Sequence, residues 1–503
     1  MLFNSIEFVL LFLPITLVIY YFLLRLQKLG LVLGWLFLAS LFFYGWWNPI
    51  YVFLLLISIT VNFVIGQRLL SANFGPKQKK ALLFTGLVFN IGLLAYFKYT
   101  NFLLESFEGI FKQEFDSIQI ILPLAISFFT FQQIAFLVDA FHGKLKQIDF
   151  LRYCVFVSFF PQLIAGPIVH HSEIFPQLKS AGTFRFNSKH FAIGLSQFSI
   201  GLFKKVIIAD SLAQLADPVF AESAANLGFT SLDHTVAVVA FSLQIYFDFS
   251  AYSDMALGLG RMFSIRLPDN FNSPYKANSI IEFWQRWHMT LSRFLKNYLY
   301  IPLGGNRHGE FRRYLNLMLT MLLGGLWHGA QWQSVFWGFL HGSFLSVNHL
   351  WRQLRPRLLS SVSNSRAVNS VARVLAHVVT LLSIVLAWVF FRAESMSAGL
   401  SILSSLFAFD GSGFSGVFYF IMAGSQMSLI VTAFNGGGSL LYLLVLIAWV
   451  LLLPNCQELF NHSENRLRIH WKPNNTWVAA TAIMLIVSVF GLGQVNEFIY
   501  FQF

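Results

Sequence analysis

Two histidines forty residues apart, His288 and His328, are the side chains of this 503-residue chain whose settings point to chemistry. His328 lies in Leu323-Gly324-Gly325-Leu326-Trp327-His328-Gly329-Ala330, inside a hydrophobic stretch long enough to cross a membrane. His288 lies in Glu282-Phe283-Trp284-Gln285-Arg286-Trp287-His288-Met289-Thr290-Leu291-Ser292. A titratable group in hydrocarbon is costly and marks a functional site by default. Imidazole exchanges its proton near neutral pH, so the chemistry expected of it is general acid–base work. A competing role, hydrogen bonding to a neighbouring helix, stays open for both. Trp327 and Trp332 are placed to wall a pocket around His328, and Trp287 stands beside His288. His341 reads as structural. The pair His170-His171 follows Pro167 without an acid-and-histidine ligand set at metal spacing, so no metal site is expected.

The stretch between Arg261 and Arg313 is basic. Within 280–300, apolar residues recur every three or four positions, the pattern of an amphipathic helix at a membrane face. Asn278 or Ser279 is expected to cap it, with Glu282 placed for a capping box. Many of its charges fit a snorkelling interfacial helix. The sharper role is to hold the phosphates of a cytoplasmic ligand, because guanidinium forks match phosphate oxygens. The candidates are Arg286, Arg293, Lys296 and Arg307, with Asn306 in the adjoining Pro302-Leu303-Gly304-Gly305-Asn306-Arg307. Asp248 and Asp254 are six residues apart, hence on different helix faces and no dyad. Asp248 is expected to support the site by orienting a histidine or accepting backbone hydrogen bonds. Gln132, Gln133 and Asp139 read as contacts between helices.

The elements that must position these groups lie in a bilayer. The chain is 56% apolar and 11% charged and contains 58 phenylalanines, against about 25% charged residues in a soluble domain. Apolar stretches near 5–24, 31–47, 50–66, 81–97, 118–138, 150–169, 190–208, 233–257, 315–347, 374–391, 439–454 and 476–493 predict eleven or twelve spanning or re-entrant helices. The 315–347 stretch is long enough for two elements broken at Gly324-Gly325. With Arg313 at the cytoplasmic boundary, fifteen helical residues carry His328 roughly 22 Å into a core about 30 Å thick. The first segment lacks a preceding Lys or Arg and is followed by Arg25 and Lys28, so it reads as a retained helix with its N-terminus outside. Basic loops near Arg68–Lys80, Lys144–Arg152 and 352–373 are expected in the cytoplasm, and 394–438 outside. The net charge of +12 is explained by topology and anionic lipid, and calls for no nucleic acid. Cys154 and Cys456 indicate neither a disulfide framework nor a thiolate metal site. The chain reads as one membrane domain over 1–503, with a core at about 118–350 and flanking helices at 1–117 and 371–503.

These motifs together resemble the membrane-bound O-acyltransferase family, in its alginate O-acetylation branch. The residues that carry the resemblance are Tyr246-Phe247-Asp248-Phe249-Ser250 through Asp254, Pro268 through Tyr275, Phe283-Trp284-Gln285-Arg286-Trp287-His288, Tyr300 through Arg307, and Gly325-Leu326-Trp327-His328-Gly329. They occur in family order along nearly the whole chain. Gln285 departs from it, since the branch usually has arginine there. The resemblance implies helices ringed around a central funnel, His328 as catalytic base and His288 as the second site histidine. It further implies acetyl transfer from a cytoplasmic donor, acetyl-CoA, with no bound cofactor, across a bacterial inner membrane toward an exported polysaccharide such as alginate. A periplasmic acyltransferase of the serine-esterase type and the polymer synthesis and export machinery are the implied partners. The final Phe498-Ile499-Tyr500-Phe501-Gln502-Phe503 is similar to an aromatic motif of such systems in which the tyrosine carries the acyl group as an ester; an interfacial anchor is the alternative. Two other functions compete: D-alanyl or lipid acyl transfer in the same family, which the 302–307 run argues against, and a transporter without a covalent step. A transporter is expected to show inverted repeats or paired broken helices, and the sequence has neither.

Overall fold

The computed structural model describes residues 1–112, 118–180, 184–221, 228–358, 366–408, 437–460 and 467–492, with isolated positions 411, 413–415, 418, 422 and 498–499. Among these residues every regular element is helical. Six helices are long and apolar enough to cross a membrane: Glu7–Arg25, Ile50–Leu70, Pro76–Phe111, Ser188–Phe220, Ser231–Met262 and Arg366–Arg392. Shorter apolar helices occupy Leu29–Gly45, Ile126–Phe141, Met396–Phe407, Gly438–Leu452 and Asn475–Gly491. The protein is a polytopic, all-α integral membrane protein.

Three stretches differ from the sequence expectation. The 150–169 region is no single span: helix Phe150–Ser158 ends at Phe159, and Pro161 opens the four-residue helix Phe160–Leu163. The amphipathic helix expected over 280–300 is two short helices, Ile280–Trp284 and Met289–Leu295, with a π-helical turn at Lys296–Tyr300. The break falls at His288, whose φ of 41° is left-handed and cannot continue a helix. Over 315–347 the helix does not break at Gly324-Gly325. It runs unbroken from Gly309 to His328, and the next helix is Trp332–Leu358.

By its contacts the chain forms two compact units. The first comprises Met1–Leu202, Tyr252–Asp269 and Lys472–Val495. There, buried amides join apolar helices: Asn62 and Asn90, which the sequence did not single out, exchange hydrogen bonds of 3.2 and 2.6 Å. Gln133 donates to Ser58 Oγ at 2.7 Å and Gln132 to the Phe156 carbonyl at 2.7 Å.

The second unit, Phe203–Ala251, Asn270–Trp471 and Asn496–Phe503, contains both site histidines. Its central element is the hairpin of helices Gly309–His328 and Trp332–Leu358. Lipid tails supply no hydrophobic force between helices, so close backbone packing must hold such a pair. Glycines permit it. A Cβ on Gly325 would lie 2.2 Å from the Ser334 carbonyl oxygen, and one on Gly338 would lie 2.3 Å from that of Met321.

Gly338→Ala is therefore expected to force the hairpin apart and destabilise the protein by about 1–3 kcal/mol. Gly34→Ala, whose Cβ would meet nothing within 4 Å, is the control. Thermal unfolding of the detergent-solubilised protein checks this, and equal melting temperatures for the two variants would contradict the packing argument.

Candidate active site

His288 is held by Asn270. The Asn270 Oδ1 atom accepts from the Thr290 backbone N–H at 3.3 Å and from Thr290 Oγ1 at 2.8 Å. A backbone N–H can only donate, so the Asn270 atom facing it must be the carbonyl oxygen. His288 Nδ1 lies 3.1 Å from the same oxygen and must therefore carry a proton. In the neutral ring this leaves Nε2 as the bare acceptor, and that nitrogen is buried without a hydrogen-bond partner. The Asn270 backbone carbonyl also takes the Met289 N–H at 2.9 Å, which secures the start of helix Met289–Leu295 behind the left-handed His288. One asparagine thus fixes both the histidine backbone and its tautomer. It lies in the 268–275 motif, but sequence reasoning gave it no role of its own.

His328 is the last residue of helix Gly309–His328 and is 4% exposed. Its ring centroid stands 4.8 Å from Trp327, 5.2 Å from Trp337, 5.4 Å from Phe391 and 6.4 Å from His288. Trp332, expected in this wall, is 59% exposed, and Trp337, five residues on, packs against His328 instead. Trp287 is fully buried against Phe283, Phe271 and Trp388, at centroid distances of 5.6, 5.1 and 5.0 Å. His341 accepts from Trp284 Nε1 at 3.3 Å, in keeping with a structural histidine. Two imidazoles in an aromatic box form a low-dielectric site where a proton and a developing negative charge interact strongly.

Of the two roles expected for Asp248, the structure shows the acceptance of a backbone hydrogen bond. Its Oδ1 pairs with Lys205 Nζ at 3.0 Å and its Oδ2 accepts the Ile499 backbone N–H at 2.8 Å. The next residue, Phe249, stacks edge-on against His288 at 4.8 Å and meets Phe498 at 5.8 Å. Tyr500, the relay candidate, lies outside the described residues.

The donor-binding candidates do not form one group. Lys296, Asn306 and Arg307, with Arg313 and Gln285, line a cavity of about 520 Å³ that reaches Thr320 and Met321. Those two belong to the helix that ends at His328, eight residues after Thr320, about 12 Å along its axis. His349 on the same cavity is held near pKa 4 by burial and by Arg313 and Arg352, so the fixed positive charge is that of Lys and Arg. Arg286 instead forms a two-point pair with Glu282, at 3.0 and 2.9 Å, donates to the Asn272 carbonyl at 3.1 Å and lines a separate cavity. Arg293 is exposed outside both linings. The expected cap forms at Ser279, whose Oγ accepts from Glu282 N–H at 3.2 Å, but the Glu282 carboxylate returns to Asn278.

The His170-His171 pair does have an acid partner, contrary to the sequence expectation. Folding brings in Asp139, whose Oδ2 lies 2.6 Å from His170 Nε2 and 3.4 Å from His171 Nδ1. The three ligand atoms lie within 4.8 Å of one another, a spacing that can hold a metal ion. The Lys144 ammonium sits 2.8 Å from Asp139 Oδ1, so the carboxylate is already charge-paired. Burial, then neighbouring His170, lowers the His171 pKa to about 4. Asp139 is thirty-one residues from His170 in sequence, which hid the grouping.

Comparison with known proteins agrees with these motifs. The profile of the membrane-bound O-acyltransferase (MBOAT) family matches residues 140–389. A peptidoglycan O-acetyltransferase of Helicobacter pylori is 45% identical over 440 residues, 82% of this chain and 80% of the relative. The probable alginate O-acetylase AlgI of Pseudomonas aeruginosa is 38% identical over 441 residues, 86% and 80% of the two chains. That of Azotobacter vinelandii is 38% identical over 415 residues, 81% and 78%.

Replacing Asn270 by Leu strands the His288 Nδ1–H and the Thr290 donors, and is expected to destabilise the protein by about 1–3 kcal/mol. Nitrogen-15 NMR of histidine-labelled protein is expected to show His288 with an unprotonated Nε2 in the wild type. A His288 resonance protonated at Nε2 and bare at Nδ1 would reverse the assignment.

Proposed function

Because the chain belongs to the membrane-bound O-acyltransferase family and is an O-acyltransferase, we propose that it passes acetyl groups from cytoplasmic acetyl-CoA across the membrane. The final acceptor in this reading is an exported cell-envelope polysaccharide, the chemical class that covers both alginate and peptidoglycan. The observation that carries the proposal is the single helix Gly309–His328, which joins the Lys296–Arg307 cavity to a buried histidine pair. Lys296, Arg307 and Arg313 are the cations for the phosphates of CoA, and Asn306 adds a neutral amide. Arg286, whose charge is paired with Glu282, and Arg293, outside both cavity linings, are given no part in holding the donor.

His328 acts as general base and His288 accepts a hydrogen bond at Nε2, orienting the reacting hydroxyl. The first acceptor is the Tyr500 phenol. Its oxygen attacks the thioester carbonyl carbon, the C–S bond breaks, and the phenol proton passes through His328 to the departing sulfur. The products are an acetyl ester on Tyr500 and free CoA thiol. A phenol has a pKa of about 10 and imidazole about 6.5, so complete transfer before attack would cost roughly 4.8 kcal/mol. Deprotonation is accordingly concerted with attack. A serine of a periplasmic esterase-type partner then takes the acetyl group for the polymer. The reading places the protein in a bacterial inner membrane with its N-terminus on the periplasmic side, and requires no metal.

His328→Ala is expected to slow thioester loss from radiolabelled acetyl-CoA by a factor on the order of 10²–10⁴. A transporter without covalent chemistry shows no such loss in either form. Arg307→Ala is expected to raise KM for acetyl-CoA about tenfold, with kcat little changed. Tyr500→Phe is expected to abolish polymer acetylation in a protein that still inserts in the membrane, and wild-type acetylation in that variant removes the relay.

A further inference from the structure

Among the described residues, the transfer chemistry leaves a buried charged cluster around Lys205 without a role. Lys205 and Asp210 sit in and just after a π-helical turn, Lys204–Ala209, within the span Ser188–Phe220. Lys205 Nζ donates to Asp210 Oδ1 at 2.8 Å and pairs with Asp248 Oδ1 at 3.0 Å. The three residues are between 1% and 7% exposed. One cation facing two carboxylates is a costly arrangement at this depth, since unbalanced buried charge is disfavoured. π-Helical turns of this kind gather at functional sites. Asp248 uses its second oxygen for something else: it accepts the N–H of Ile499 at 2.8 Å. Phe498 and Ile499 are 1% and 3% exposed, and the Phe498 ring touches Phe249, the residue packed on His288.

We propose that Asp248 is a positioning residue for the acyl-carrying segment: its carboxylate, oriented by Lys205, anchors the Ile499 main chain one residue before Tyr500. The inference rests on the reading of Tyr500 as the carrier. It deepens that reading, because the anchor is a hydrogen bond to backbone. The position of the Ile499 main chain, rather than the identity of its side chain, then decides whether transfer occurs. A charge-assisted bond to a main-chain N–H suits this task, being stronger than a neutral one and indifferent to sequence.

Asp248→Asn tests this without dismantling the cluster, since it leaves Lys205 paired with Asp210 and the net charge balanced. Intact-protein mass spectrometry after incubation of the full chain with acetyl-CoA reads the rate of adduct formation at Tyr500. Asp248→Asn is expected to lower that rate about tenfold, with KM for acetyl-CoA within twofold of wild type and an unchanged melting temperature. Asp248→Glu is expected to recover part of the rate. One glycine inserted between Ile499 and Tyr500 shifts the register by up to about 3.5 Å and is expected to abolish the adduct; the same insertion between Gln502 and Phe503 is expected to be tolerated. Wild-type rates in Asp248→Asn, or tolerance of the first insertion, overturn the anchor while leaving Tyr500 as carrier. An undiminished adduct in Tyr500→Phe overturns the carrier reading, and the anchor falls with it.

Discussion

The oxygen of one buried carboxamide fixes the geometry around His288. Asn270 Oδ1 is shared by the Thr290 backbone, the Thr290 hydroxyl and the His288 ring. Because the backbone donor fixes the identity of that oxygen, it also fixes which imidazole nitrogen keeps its proton. The helix break at His288 and the aromatic packing of Trp287 follow from the same junction. The direction of the His288 lone pair is thus set by a carboxamide that a backbone N–H orients, and not by a second titratable group.

Much of this was legible in the sequence because the bilayer imposes simple rules. Apolar runs marked the membrane helices, and the rarity of charge made His288, His328 and Asp248 stand out. The apolar run marked the helix that carries His328, although that helix continues through Gly324-Gly325, where the sequence suggested a break. What escaped was tertiary. A period of three to four residues in 280–300 suggested one helix, but tertiary hydrogen bonds from Asn270 hold His288 in a left-handed conformation that periodicity cannot anticipate. Arg286 looked equivalent to Lys296 because both sit in one basic segment, yet the break turns them toward different cavities. Asp139 and His170 are too far apart in the chain for their contact to be read from spacing.

The two kinds of polar group in the second unit also divide the labour. Lys296 and Arg307 are exposed beside Asn306, and Arg313 is half-buried. Groups elsewhere in the unit lie among aromatic rings, like the two histidines, or are paired, like Lys205 with its two carboxylates. The segregation follows from desolvation. A phosphate contact can stay wet, whereas a group at membrane depth must either shed its charge or find an opposite one.

The glycine-mediated fit between helices Gly309–His328 and Trp332–Leu358 has a last consequence. With carbonyl oxygens against alpha carbons, the hairpin is a stiff rod, and the separation between cavity and imidazole becomes a ruler graduated in peptide units. Loops cannot stretch it. Inserting a single residue between Thr320 and His328 would rotate the histidine by about 100° out of its box, since a turn holds 3.6 residues. Reach in such an architecture can change only by about a whole turn at a time, and donors with longer arms would require a differently built rod.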